Sequence, residues 1–129
     1  MQVLIVDNSR LIIERLRLML SETENSIGAY GAISFIEGVS FLRKIKLNVV
    51  LIDSGLPGTE CIDLLKKVKE VNFNTRVIVL LNGEDDHIQL KYKTSGADLF
   101  FDKYHEFEKI PAAINSIANE IKGNANNGN

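Results

Sequence analysis

The sequence predicts an α/β fold in which five parallel strands form one doubly wound sheet with helices on both faces. Three observations predict it. Short β-branched runs alternate with amphipathic stretches along the whole chain. Three of those runs, within residues 2–6, 48–52 and 76–81, are almost all Val, Ile and Leu, which suits strands covered on both sides. Two of them end abruptly in a carboxylate beside turn-forming residues, Asp7-Asn8-Ser9 and Asp53-Ser54-Gly55.

The elements follow in order. A strand over 2–6 leads to Ile12, Leu16, Met19 and Leu20, which repeat at helical spacing. A second strand covers 27–31. Ser34 and Glu37 then form a capping-box pattern ahead of Val39 and Leu42. After the third strand, 48–52, Pro57-Gly58 turns the chain into a helix whose stripe is Cys61, Leu64, Leu65 and Val68. A fourth strand, 76–81, precedes the helix with the thinnest apolar face, near 85–95, where Asp85 and Asp86 suit the positive end of the helix dipole. A fifth strand, 98–101, is followed by the longest stripe: Phe107, Ile110, Ile114, Ile117, Ala118 and Ile121, with Pro111 tolerated near its start. Five such units fit the flavodoxin-like strand order 2-1-3-4-5. The domain is expected over residues 1–122. Residues 123–129, Gly-Asn-Ala-Asn-Asn-Gly-Asn, have nothing to bury and read as a disordered polar tail.

Bulk properties narrow the function. A chain of 129 residues is one domain by length. A formal net charge of −2 points to neither nucleic acid nor an anionic membrane as partner. No apolar stretch is long enough to span a bilayer, and the N-terminus has no signal-peptide pattern. Cys61 is the only cysteine, so no disulfide forms within the chain and a reducing cytoplasm is expected. Cys61 reads as a small buried hydrophobe rather than a nucleophile. His87 and His105 lie in polar segments without a ligand cluster and read as surface residues.

In the order 2-1-3-4-5 the first and third strands are neighbours, and ligands bind outside the carboxyl ends of the strands. Asp7 and Asp53 fall at that crevice, and Lys103 arrives there from the fifth strand. A carboxylate at the mouth of a buried strand is costly to hold for packing alone. Three charged groups at three strand ends suggest one shared site suited to phosphoryl chemistry.

The segments Val3–Asn8, Val49–Gly58 and Ala97–Lys103 resemble, in order and spacing, the three signatures of response-regulator receiver domains, and the resemblance covers residues 1–122. It implies that Asp53 accepts a phosphoryl group from a histidine kinase, a phosphotransfer protein or a small phosphodonor, and that Lys103 contacts that group. It implies Mg2+ as cofactor, held by Asp7, Asn8, Asp53 and the backbone carbonyl of Gly55, a main-chain ligand for which residue identity is not required. The implied output is a stand-alone regulator that signals through protein contacts around residues 85–121, as a phosphoacceptor rather than a turnover enzyme.

Four residues depart from the family pattern. Asn8 stands where a second acid is usual, so the metal loses a formal charge; a charge pair 4 Å apart is worth about 4 kcal/mol at an effective dielectric of 20, less the competing hydration. Weaker magnesium binding follows. Leu81 stands where a Ser or Thr hydroxyl is usual, with Asn82 next along as a substitute donor if the strand end shifts by one. Phe100 takes the place of the switch aromatic, and Tyr104 that of a proline. Asn8 and Leu81 motivate an alternative: a pseudo-receiver that binds partners without phosphate. A flavin carrier shares the strand order, but Asp7-Asn8-Ser9-Arg10 offers an acid instead of a phosphate-cradling loop and the chain has no Trp.

Overall fold

The computed structural model describes residues 1–127. Strands β1 (Gln2–Val6), β2 (Gly28–Ala32), β3 (Val49–Asp53), β4 (Arg76–Leu81) and β5 (Leu99–Asp102) form one parallel sheet in the order β2-β1-β3-β4-β5. Helices α1 (Arg10–Ser21), α2 (Phe35–Lys44), α3 (Glu60–Val71), α4 (Asp86–Thr94) and α5 (Ile110–Asn127) connect and follow the strands, with a 3-10 turn at Phe107–Lys109 leading into α5. Fold class and strand order match the expectation from sequence.

The sheet divides the core in two because successive strand residues face opposite sides. Leu4, Val6, Val50, Ile52, Val77 and Val79 pack against Leu64, Leu65 and Val68 of α3. Val3, Ile5, Val49, Leu51, Ile78 and Leu80 pack against Ile13 and Leu16 of α1 and Ile110 and Ile114 of α5. All twelve strand residues are fully buried, which is why these runs lack polar alternation. No helix among the described residues is long and apolar enough to cross a membrane.

Local chemistry fixes the helix starts. Ser9 accepts the Ile12 N–H and Asp85 accepts the Ile88 N–H at 3.0 Å. The Ser34 hydroxyl accepts the Glu37 N–H at 3.2 Å. The return bond of a capping box is displaced by one residue: Glu37 accepts the N–H of Ile33, at 2.9 Å, rather than that of Ser34. Ser34→Ala should lower stability by about 1 kcal/mol, read as a shift of the urea midpoint at unchanged slope. Helix α4 buries only Tyr92, the thin face expected of it.

Gly96 closes α4 at φ +116°, a conformation that side chains rarely adopt, and a Cβ there would sit 3.0 Å from Cγ of Lys69. Lys69 has little room to yield. Its ammonium is 2.9 Å from Asp98 and 2.7 Å from the Thr75 carbonyl, and Asp98 also accepts the Val77 N–H at 2.8 Å. Gly96→Ala should therefore destabilise by about 1–2 kcal/mol in the same assay.

Helix α5 extends further than the sequence suggests. Residues 123–127, expected in the polar tail, continue the helix, while 128 and 129 lie outside the described residues. Once a helix is nucleated by packed turns, each added residue gains a hydrogen bond without a new nucleation penalty.

Candidate functional site

The carboxyl ends of β1, β3 and β5 meet at one crevice. Asp7 and Lys103 extend their strands by one residue: the Asp7 N–H donates to the Ala32 carbonyl at 3.0 Å, and the Lys103 N–H to the Leu81 carbonyl at 2.9 Å. Asp53 is the last residue of β3, in register with Leu80. The backbone thus aims three charged side chains at the same point. The Lys103 ammonium lies 2.8 Å from Asp7 Oδ2 and 3.3 Å from Asp53 Oδ2. All three residues are buried, Asp7 completely.

The electrostatics follow from that enclosure. Burial pushes the Asp7 carboxyl above its ordinary value, and the neighbouring Asp53 adds to the effect against the opposing pull of Lys103 and the Ser9 N–H. Burial pulls the Lys103 ammonium down, but the two carboxylates together outweigh it and hold the amine above its ordinary value. Asp7 Oδ1 accepts the Ser9 N–H at 2.8 Å. Asp7 Oδ2 is buried without a hydrogen bond, so the 2.8 Å approach of Lys103 is an ion contact with poor direction.

Asp53 Oδ1 accepts two hydrogen bonds, from the Gly55 N–H at 3.0 Å and from the Asn82 carboxamide at 2.7 Å. Gly55 wraps closely around the carboxylate: a Cβ would lie 3.3 Å from both Asp53 oxygens and from Asn82 Nδ2. A side chain at 55 would require these neighbours to give by a few tenths of an ångström. Gly58, at φ +56°, makes the turn into α3. Asn8 is exposed at the rim.

Leu81 is buried in the core with Val77 and Val79 and offers no donor to the crevice. Asn82 takes that place although β4 ends at Leu81: from the bend that follows the strand its carboxamide reaches Asp53. Phe100 is half-buried and packs against the α3 side of the core. Tyr104 is exposed.

Three residues of the site were not singled out by sequence. Glu84 accepts both the Asn82 backbone N–H, at 2.7 Å, and the Ser54 hydroxyl. Asp102 accepts the N–H groups of Tyr104 and His105, at 2.9 and 2.8 Å, and faces His105 Nδ1. These contacts, led by the His105 N–H, hold its carboxyl below the ordinary value and fold the chain just after Lys103. The available signal was turn chemistry: an Asp or Asn at a strand end, followed by residues whose N–H groups it can take.

Other reactive residues lie outside the crevice. Burial pushes the Cys61 thiol up to about 12, consistent with a core role. His87 and His105 are exposed, as expected. Among the described residues no group of three or more His, Cys, Asp or Glu is arranged to hold a metal. The crevice nevertheless fits magnesium, which keeps several waters and needs only one or two carboxylates. Asp7 Oδ2, buried without a hydrogen bond, is the oxygen that such a cation would satisfy.

Comparison with known proteins gives the family and the fold. A family model, the response regulator receiver domain, matches residues 3–115. The chain is 32% identical over 116 residues to sporulation initiation phosphotransferase F of Bacillus subtilis, covering 88% of this chain and 90% of that protein. It is 24% identical over 125 residues to the cell cycle transcriptional regulator CtrA of Caulobacter vibrioides, covering 97% of this chain but only 53% of that longer protein. A two-component response regulator from Clostridium difficile superposes with a TM-score of 0.83 at 20% identity, over 93% of this chain and 97% of that one. The receiver domain of Francisella response regulator 1452 gives 0.80 at 23%, over 93% and 98%. At those identities the structural likeness establishes the fold.

Proposed function

The chain belongs to the response-regulator receiver family of two-component signalling, and on that premise we propose that Asp53 accepts a phosphoryl group and that the domain signals through protein contacts. Receiver domains interact with histidine kinases or phosphotransfer proteins and with downstream targets, and generally bind Mg2+ at the acidic site. The donor here is a phosphohistidine of such a partner or a small acyl phosphate. One Asp53 oxygen attacks phosphorus, the bond from phosphorus to the imidazole nitrogen or acyl oxygen breaks, and the leaving group departs with the electron pair.

The protein's task is alignment and charge neutralisation. Lys103, held protonated by the two carboxylates, offsets charge on the phosphoryl oxygens and is not a base. Asp7, Asp53, the Gly55 carbonyl and the Asn8 amide oxygen would hold magnesium, which when bound neutralises the oxygens of the transferred group. The observation that supports this reading is the ammonium of Lys103 set between two buried carboxylates at 2.8 and 3.3 Å.

Incubation with acetyl phosphate and Mg2+, followed by intact mass, tests it. The expected result is a single phosphoryl adduct that is absent in Asp53→Asn. No adduct from acetyl phosphate or from a cognate kinase favours the second reading, a pseudo-receiver, which the lack of a hydroxyl at Leu81 and of a charge at Asn8 motivates.

A further inference from the structure

We propose that Glu84 is a positioning residue for the phosphoacceptor: through Ser54 it aims the Asn82 carboxamide at Asp53, where the amide supplies the donor that Leu81 lacks. The inference rests on the reading of Asp53 as phosphoacceptor.

The hydrogen-bond directions carry it. Asn82 Nδ2 is 2.7 Å from Asp53 Oδ1 and 3.0 Å from Ser54 Oγ, so both of its protons are used. The Ser54 hydroxyl has one proton and donates it to Glu84 Oε1. A carboxylate only accepts, so Glu84 fixes the rotor of Ser54 and leaves an oxygen lone pair facing Asn82. With a lone pair on one side and a carboxylate on the other, only the NH2 end of the carboxamide can face inward. Glu84 Oε2 also takes the Asn82 backbone N–H at 2.7 Å, so one carboxylate holds Asn82 by main chain and side chain. The Glu84 carbonyl in turn accepts Gln89 Nε2 of α4 at 3.1 Å, which anchors the loop.

When Asp53 takes a phosphoryl group, negative charge moves outward onto the phosphoryl oxygens. An N–H already pointed at Asp53 meets that charge with little reorganisation. Preorganised donors of this kind are worth about 10²–10³ in rate when removed. A direct charge effect of Glu84 has the opposite sign: an acid near the crevice repels an anionic donor, so its removal would speed the reaction.

The test follows phosphorylation of the full chain by acetyl phosphate with Mg2+, by intact mass over time. Asn82→Ala should slow adduct formation by about 10²-fold, and Glu84→Ala by about tenfold through misplacement of the amide. The double variant should be no slower than Asn82→Ala alone, because Glu84 acts through Asn82. Glu84→Gln, which keeps one acceptor oxygen for Ser54 but loses the acceptor for the Asn82 backbone N–H, should recover part of the rate. A faster Glu84→Ala, or a slowing that persists without Asn82, overturns the proposal. So does Asn82→Ala at the wild-type rate, even though phosphorylation of Asp53 then stands. A second readout does not depend on phosphate: the NMR signals of the Asn82 carboxamide in the unphosphorylated protein should shift and lose their separation in Glu84→Ala. Unmoved signals overturn the positioning role even in a chain that takes no phosphoryl group.

Discussion

Lys103→Ala should destabilise the domain by about 3–5 kcal/mol near neutral pH and slow phosphorylation of Asp53 by about 10²-fold or more. Among the described residues the ammonium is the only cation within 4 Å of Asp7 and Asp53. Its removal leaves two buried like charges without a counter-ion, the costly way to break a buried pair. The pH dependence identifies the mechanism. In the wild-type protein Asp7 has a folded value raised above its ordinary 3.8, so its contribution to stability falls as pH rises from there through the raised value. Without Lys103 only the Ser9 N–H pulls Asp7 down, and that window moves upward. The deficit should be large at neutral pH and small near pH 4, where Asp7, with its raised value, takes its proton. Lys103, raised above 10.5, adds stability that is complete below that pH and lost above it. Wild type should therefore weaken in strong alkali by a route the variant lacks. Mg2+ should restore part of the stability of Lys103→Ala, since a cation that binds only the folded state shifts the equilibrium by mass action. Urea midpoints at both pH values, with and without Mg2+, check this; an equal deficit at both would assign the loss to packing instead.

The fold was legible because its strongest signals are periodic. Val3–Val6, Val49–Ile52 and Val77–Leu80 are buried on both faces, and a run without polar alternation states that directly. Asp7 and Asp53 were legible for the complementary reason, since each breaks such a run at its carboxyl end, and Lys103 by its place just after the shorter fifth strand. Asn82 could be named only as an alternative, because its use depends on how the chain bends after Leu81. Ser54 and Glu84 were not legible. Their bonds join residues 30 apart across two loops, and loop paths have no period to read. The Gly55 fit was missed likewise, since it depends on Asn82 lying over Asp53. The end of α5 was misjudged from composition, because propagation from a packed helix outweighs the weak propensity of Gly123 and Asn124.

Asp7→Asn should have the opposite effect on stability from Lys103→Ala: a gain of about 1 kcal/mol near neutral pH, together with loss of the stabilisation expected from Mg2+ in the wild type. Asp7 is fully buried and its folded-state carboxyl favours the proton more than the unfolded one does. A neutral isostere imitates the protonated acid, so the gain should be present at neutral pH and vanish below the ordinary value, where wild type is protonated too. Asn keeps an oxygen for the Ser9 N–H, so the start of α1 is preserved. A charged residue that weakens its own fold persists when the charge is used, and Asp7 Oδ2 is buried without a hydrogen bond. With Asn8 already neutral, Asp7 is the remaining acid beside Asp53 on the β1 side, and its loss leaves a divalent ion a single carboxylate. Thermal melts across a Mg2+ titration should show a rising midpoint for wild type and a flat, higher baseline for the variant. A variant that is less stable than wild type without Mg2+ would mean that the Lys103–Asp7 contact outweighs the burial of its charge.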